Sequence, residues 1–181
     1  MKSTLHLVCG MAGSGKTTLA KKLEAALPVV RFCPDEWIMK LLADPADSKE
    51  NGRLRDIVES IQWETAQHLL SLGTSVVLEN GFWGRNERES YRTTAKQLDS
   101  RVVIHFLDPT EEELWQRLEK RNANLPEGTF PVRREAIAEW MTWFQKPDGA
   151  ELAMYDKLTN LEKGALLNAE ELRPSHEYGP L

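Results

Sequence analysis

The chain has 181 residues, of which 41% are hydrophobic and 28% are charged, and its formal net charge is −5. This length suits one domain with a sizeable core, and the composition is that of a globular protein, which excludes the disordered and fibrous classes. The acidic balance argues against nucleic acid as the main partner, because nonspecific binding requires Lys and Arg to neutralise phosphates. No apolar run reaches the length of a membrane span, and Gly10 interrupts the first one too early for a signal peptide. The sequence therefore predicts a cytoplasmic protein without membrane contact.

A glycine-rich loop near the start of the chain matches the phosphate-binding pattern G-x-x-x-x-G-K-[ST]. Its residues are Gly10, Met11, Ala12, Gly13, Ser14, Gly15, Lys16 and Thr17, followed by Thr18. An apolar run at residues 5–9 precedes the loop and a helical pattern follows it, which is the strand–loop–helix context that the motif requires. Glycines let successive backbone N–H groups face one anion, while Lys16 reaches the β- and γ-phosphates and Thr17 offers a hydroxyl to Mg²⁺. The loop predicts binding of ATP with Mg²⁺.

The rest of the chain alternates short apolar runs with amphipathic stretches. Strands are predicted at residues 5–9, 29–33, 74–78 and 102–107, and helices at residues 17–26, 54–72, 85–98, from 110 and from 133, with a loop at 43–48. This order predicts an α/β, three-layer P-loop NTPase fold in which helices cover both faces of a parallel sheet. We expect residues 1–150 to form the P-loop domain, with a small helical lid at about residues 122–135. Residues 151–181 are expected to form a helical or irregular extension of the same domain.

Acidic residues follow two of the predicted strands, at the edge where open α/β sheets bind ligands. Asp35 follows the second strand and is the best candidate for the group that orients or deprotonates a phosphate acceptor. Its alternative role is the N-cap of the next helix. Glu79 ends the third strand, where it competes with Asp35 as the base or holds Mg²⁺ through water, the alternative being a solvent-exposed charge.

Arginines flank the predicted lid. Arg117 and Arg121 lie four residues apart on one helix face, and Arg133 and Arg134 begin the following helix. Such arginines neutralise charge on a transferring phosphoryl group or stack on adenine, and otherwise they form exposed ion pairs on the surface. The arginines of the helix after the third strand are expected to be exposed to solvent, and Arg88 is the one expected to reach the substrate.

Aromatic residues flank both acidic strand ends. Trp37 and the Phe82–Trp83 pair are therefore predicted to form the wall of an acceptor pocket. His6 and His105 alternate within strands and are expected to be structural. Cys9 and Cys33 end two apolar runs without metal-type spacing, so we expect buried, reduced thiols in neighbouring strands.

With these motifs in place, residues 3–150 resemble the small P-loop kinases of the zeta-toxin and chloramphenicol-phosphotransferase type, which are often labelled AAA-family ATPases. The resemblance implies that Asp35 activates the acceptor, that Arg117 lies near adenine and that Arg121 lies near the phosphates. Residues 144–147 look like the Phe-x-x-Pro closure that follows the lid in this group. The third strand of these relatives usually ends in Asp, whereas this chain has Glu79. The motifs of AAA+ ring motors are absent from the sequence, which argues against a ring-forming motor.

The combined features predict a kinase that moves the γ-phosphate of ATP to a hydroxyl of a small molecule. The predicted catalytic residues are Lys16, Asp35, Glu79 and Arg121, and the predicted acceptor contacts are Asp35, Trp37, Phe82, Trp83 and Arg88. One alternative is a P-loop ATPase without an acceptor, in which Glu79 positions water. The other is a nucleic-acid-end kinase, against which the acidic net charge counts.

Overall fold

A computed structural model describes residues 2–42, 48–126 and 129–168 of the chain. Its strands are β1 (Thr4–Gly10), β2 (Val29–Phe32), β3 (Ser75–Gly81) and β4 (Arg101–Leu107). Its helices are α1 (Lys16–Ala26), α2 (Pro34–Leu41), α3 (Ser48–Ser71), α4 (Arg85–Gln97), α5 (Glu111–Ala123), α6 (Arg134–Trp143), α7 (Gly149–Leu152) and α8 (Asn160–Asn168). Residues 43–47 of the predicted loop, residues 127 and 128 of the predicted lid, and residues 169–181 of the predicted extension lie outside the described residues.

The strands form one parallel sheet in the order β2-β3-β1-β4. All seven residues of β1, the strand that leads into the phosphate loop, are buried, as expected for a parallel strand covered on both faces. Alternate residues of β1 point to opposite faces: Leu7 and Cys9 pack in the larger core, and Val8 packs with Ala20 and Leu23 of α1 in the smaller one. The predicted three-layer α/β fold is confirmed.

Strand β3 extends further than predicted. Asn80 and Gly81 continue the strand, and Gly81 pairs with Cys9 after a register shift in β1. Glu79 therefore lies within β3 rather than at its end. The sheet order also corrects the placement of the two thiols, because β3 separates β1, which contains Cys9, from β2, which Cys33 follows. Both cysteines are buried and free, as predicted.

Helix α8 packs against the end of the sheet away from the phosphate loop. Glu162 of α8 bonds Arg101 at 2.9 Å and lies 3.8 Å from the His6 ring. The His6 and His105 rings are buried and stacked, with Nδ1 of the first 3.1 Å from Nε2 of the second. These histidines are structural, as predicted. No helix within the described ranges is both long and apolar enough to cross a membrane.

Candidate active site

The phosphate loop connects β1 to α1 and packs beneath α5. Gly13 adopts a φ of +81°, and a Cβ atom there would lie 2.7 Å from Cγ of Leu118, so only glycine fits. The backbone N–H of Ser14 donates to the carbonyl of Met11 at 3.1 Å, and this bond closes the turn. Sequence and packing thus fix the loop in a compact conformation ahead of the α1 N-terminus, where exposed N–H groups favour an anion.

The loop side chains offer donors that suit a nucleotide phosphate. Lys16 is half-buried and its Nζ donates to the Met11 carbonyl at 2.9 Å. Burial lowers the pKa of Lys16, while the charges of Asp35 and Glu79 oppose this shift, so both carboxylates act on the ammonium group. Oγ of Ser14 is buried without a hydrogen-bond partner among the described residues. The hydroxyl-bearing Thr17 is exposed in the first turn of α1. This donor set fits a phosphate chain with a bound Mg²⁺.

An open cavity of about 360 Å³ adjoins the outer side of the loop. Its walls are Ser14, Gly15, Thr18, Leu19, Lys22, Leu107 and Arg117. Nη1 of Arg117 donates to the carbonyl of Ser14 at 3.3 Å, which places the guanidinium beside the loop. Leucine side chains and a planar guanidinium make surfaces that suit an aromatic base.

Asp35 lies in the first turn of α2, at the carboxyl end of β2. The N-cap of this helix is Cys33, so the alternative role of Asp35 as an N-cap is wrong. Oδ1 of Asp35 accepts a hydrogen bond from Nη2 of Arg55, a residue of α3. Burial lowers the pKa of Arg121, and the charge of Asp35 opposes that shift, as it does at Lys16. Asp35 is thus a half-exposed carboxylate that interacts with three cationic side chains beside the phosphate loop.

Glu79 has a different environment. It is buried in β3 and its carboxylate accepts a hydrogen bond from Arg31 of the neighbouring strand β2. Arg31 also donates to both oxygens of Glu36, at 2.9 and 2.7 Å, and to Glu24 at 3.0 Å. Burial opposes the charged guanidinium, but Glu36 and Glu79 outweigh it and raise the pKa of Arg31. The alternative role of Glu79, a solvent-exposed charge at the end of a strand, is wrong, because the residue is buried and Arg31 supplies a partner inside the protein.

The segment after α5 is attached to that helix. Nη2 of Arg121 donates to the Phe130 carbonyl at 2.8 Å, whereas its Nε is buried without a partner among the described residues. The Asn122 side chain bonds both the N–H and the carbonyl of Val132, at 3.2 and 2.7 Å. In the described part of the predicted lid, these bonds hold the backbone near the free Nε of Arg121.

The two arginines that follow this segment point to solvent. Arg133 is the exposed N-cap of α6. Arg134 lies 3.4 Å from the carboxylate of Glu112 and 5.6 Å from the centre of the Trp115 ring. Arg134 therefore makes the exposed surface pair that was its alternative role, on the outer side of α5.

Two of the predicted acceptor contacts are parts of the core. Phe82 is 1% exposed and packs edge-on against Tyr91 at 5.2 Å, inside the core rather than on an exposed surface. Nε1 of Trp83 donates to the Gly10 carbonyl at 3.3 Å, and the ring packs on Trp140 at 5.7 Å, behind the phosphate loop. Of the three aromatic candidates, Trp37 is the exposed one, at 40%.

Arg88 is also a core residue, and the prediction that it is solvated and reaches the substrate is wrong. It is fully buried and forms two bonds with Glu151 of α7, at 2.6 and 2.8 Å. Its remaining bonds reach the carbonyls of Phe82 and Trp83. Arg88 consequently fixes the turn after β3. The partner comes from a four-residue helix that the sequence pattern left undefined.

Two site residues, Arg55 and Glu59, were missed from the sequence. They lie four residues apart on α3, and Nη1 of Arg55 donates to Glu59 at 3.3 Å. This spacing is a detectable signal, but it normally indicates a solvated ion pair on a helix surface. Here the pair lies under α2, where Arg55 holds Asp35.

A parallel sheet in the order β2-β3-β1-β4, with a phosphate loop between β1 and the first helix, defines a P-loop NTPase fold. The sequence profile of the AAA domain family AAA_33 matches residues 5–147, and the chain belongs to this family.

Solved structures share this fold at low sequence identity. The match to a chain in the structure of the Pnkp1/Rnl/Hen1 RNA repair complex covers 85% of this chain and 46% of the matched chain, with 21% sequence identity and a TM-score of 0.61. Kti12 from Chaetomium thermophilum, solved with ADP-AlF3, matches over 81% and 82% of the two chains, with 15% identity and a TM-score of 0.60. A gluconokinase from Sinorhizobium meliloti 1021 matches over 93% and 92%, with 18% identity and a TM-score of 0.55.

The matched lengths limit what these structures show. The chain spans less than half of the RNA repair protein, as the 46% coverage states, but most of the Kti12 and gluconokinase chains. A comparison with curated proteins finds no match. The family and the fold therefore support a nucleotide-binding domain.

Proposed function

We propose that the protein is an ATP-dependent kinase that transfers the γ-phosphate to a hydroxyl of a small molecule. The observation that carries the proposal is the position of Asp35, a half-exposed carboxylate whose charge acts on Lys16 of the phosphate loop and on Arg121. A carboxylate at this place can accept the proton of a hydroxyl group next to the γ-phosphate. Opposite charges near it can stabilise the transferring phosphoryl group.

Each site residue has a role in this reaction. Lys16 exchanges the Met11 carbonyl for the β- and γ-phosphates, and the unpartnered Nε of Arg121 donates to the transferred group. Arg117 lies beside the cavity that takes the base. Thr17 would hold Mg²⁺, which would neutralise phosphate charge, whereas the Glu79 carboxylate, predicted to reach the ion through water, is bonded to Arg31. As the acceptor oxygen bonds to phosphorus and ADP leaves, Asp35 takes the acceptor proton.

Asp35 is a better base than Glu79 for a structural reason. Glu79 is buried against Arg31, a residue that itself has two further carboxylate partners. A base must be within hydrogen-bond reach of the substrate hydroxyl, and the half-exposed Asp35 meets this need more directly. Membership of the zeta-toxin and chloramphenicol-phosphotransferase group would agree with this role and stays a prediction.

A second candidate is a kinase that acts on an RNA end. It is favoured by the structural match to a protein of an RNA repair complex, at a TM-score of 0.61. The net charge of −5 opposes it, because RNA binding depends on neutralising phosphates. Both candidates use the same ATP site and differ in the acceptor.

The experiment measures ATP-dependent phosphorylation of hydroxylated metabolites and of RNA oligonucleotides with free hydroxyl ends. Lys16→Ala should abolish all turnover, since the phosphates lose their cationic anchor. Asp35→Asn should lower kcat on the order of 10² to 10⁴-fold with little change in the KM for ATP. Asp99→Asn, at an exposed residue paired with Lys2, is the matched control. Wild-type rates in Lys16→Ala would refute the proposal. Turnover without any acceptor that survives Asp35→Asn but not Glu79→Gln would establish the ATPase instead.

A further inference from the structure

A polar stripe runs along the inner face of α3 towards the core. Arg55, Glu59, Gln62 and Ala66 follow one another at spacings of three and four residues, which places their side chains on one helix face. The stripe begins at Asp35, which Arg55 contacts, and ends at the fully buried Ala66. Gln62 lies between the charged pair and the hydrophobic core.

Gln62 is fully buried, and neither its Oε1 nor its Nε2 has a hydrogen-bond partner among the described residues. A buried amide without partners destabilises the folded state, because it loses its hydrogen bonds to water and no bond within the protein replaces them. Native proteins rarely keep such a group unless it has a use. An amide provides donors and an acceptor together, which is what binding a hydroxyl group requires.

Further polar groups of β3 and α4 face α3. The Asn80 side chain acts on the Tyr91 hydroxyl, and its Oδ1 is buried without a partner in the described part of the chain. The Tyr91 ring stacks at 4.2 Å on Trp63, the residue next to Gln62. Glu59 and Glu87 both act electrostatically on Tyr91, so these residues form one cluster between α3 and α4.

The cluster is rich in hydrogen-bond acceptors and poor in cations. Burial raises the pKa of Glu59 to about 7, and the nearby charge of Glu87 adds to this shift against the opposing charge of Arg55. Burial also raises the pKa of Glu87. Arg55 is shared between Asp35 and Glu59, so its positive charge is already matched. Among the described residues, a phosphate or carboxylate placed here would meet the two carboxyl groups and no free cation.

On the basis of the proposed kinase function, we infer that Gln62, Asn80, Glu59 and Glu87 form the specificity pocket for the acceptor, and that the acceptor is a neutral or aminated polyol. Its hydroxyl or ammonium groups donate to the carboxyl groups and to Oδ1 of Asn80. Gln62 pairs with a hydroxyl that is remote from the reacting one. The reacting hydroxyl faces Asp35 at the open end of the stripe.

The test is a phosphorylation screen with a panel in two halves. One half holds neutral and aminated polyols, such as glucose, glucitol, inositol and glucosamine. The other holds anionic counterparts, such as gluconate, glucose 6-phosphate and RNA ends. We expect turnover in the first half only. Turnover confined to the anionic half overturns the inference and leaves the kinase proposal standing, whereas no turnover with any compound removes both.

The variant Gln62→Met separates a binding role from a structural one. It keeps the side-chain volume and removes the buried amide, so the free protein should be at least as stable as the wild type. The KM for the polyol should rise on the order of tenfold with the KM for ATP unchanged. The matched control is Gln67→Met on the same helix, where the amide bonds the Trp63 carbonyl at 3.4 Å. Loss of stability without a change in the KM for the polyol would overturn the inference.

Discussion

Arg31 holds the Glu79 carboxylate inside the protein, and an Arg31 variant tests how much this ion pair contributes to stability. The side chain of Glu79 is 2% exposed and that of Arg31 is 9% exposed. Arg31→Met keeps an unbranched apolar stem, removes the guanidinium and leaves a buried carboxylate that has lost its partner. Breaking a buried pair in this way costs about 3–5 kcal/mol of the free energy of unfolding. For a domain of this size, the melting temperature should fall by about 6–20 °C.

The converse change should cost much less. Glu79→Leu leaves Arg31 with its bonds to Glu36 at 2.7 Å and Glu24 at 3.0 Å, so the guanidinium keeps two partners. Urea unfolding of both single variants and of the double variant gives the coupling energy. The double variant should recover most of the stability lost in Arg31→Met, since no uncompensated buried charge is left.

The control is Arg53→Met on α3. Arg53 bonds Glu50 at 2.8 Å, but this pair is exposed to solvent, and such pairs contribute little to stability. An Arg31→Met variant as stable as this control would refute the reasoning. Strictly additive effects of the Arg31 and Glu79 changes would do so as well, because they would mean that the two side chains do not interact.

Two further predictions concern the histidine pair and the phosphate loop. Burial lowers the pKa of His6 to about 4 and that of His105 to about 3, from 6.5, so the unfolded chain binds more protons in acid. The free energy of unfolding should keep its full value above about pH 6.5 and fall by about 2 kcal/mol per histidine by about pH 5. Urea unfolding at several pH values should show a smaller fall in the variant His105→Phe. Gly13→Ala should weaken ATP binding in calorimetry because its Cβ would meet Leu118 at 2.7 Å; Gly73→Ala, at a similar φ of +82° with open space, should bind ATP normally.

Local patterns made much of the fold predictable. The phosphate loop lies between a strand and a helix as its motif requires, and α5 begins with a capping box. The N–H of Glu113 donates to Oγ1 of Thr110 at 3.3 Å, and the Thr110 N–H donates back to the Glu113 carboxylate at 2.7 Å. Such features depend on residues a few positions apart, so the sequence alone determines them.

Contacts between distant residues were not predictable in the same way. Arg88 and Glu151 are 63 positions apart, and Arg31 and Glu79 are 48 apart. The second pair exists because β2 lies next to β3, which follows from the sheet order and from no local pattern. An arginine in a four-residue strand is ordinarily read as a surface residue, and the sequence therefore gave no reason to link it with Glu79.

The charges around the two carboxylates favour a kinase over a simple ATPase. In an ATPase, the polar group that positions water would be Glu79, but that carboxylate is held by Arg31 in the interior. Asp35 is half-exposed, and its partner Arg55 also bonds Glu59, so Arg55 can shift towards Glu59 when an acceptor arrives. A carboxylate that can exchange its partner for a substrate hydroxyl suits group transfer to an acceptor. In the proposed kinase, Asp35 would therefore carry the proton transfer, and the Arg31–Glu79 pair would balance charge behind the phosphate loop.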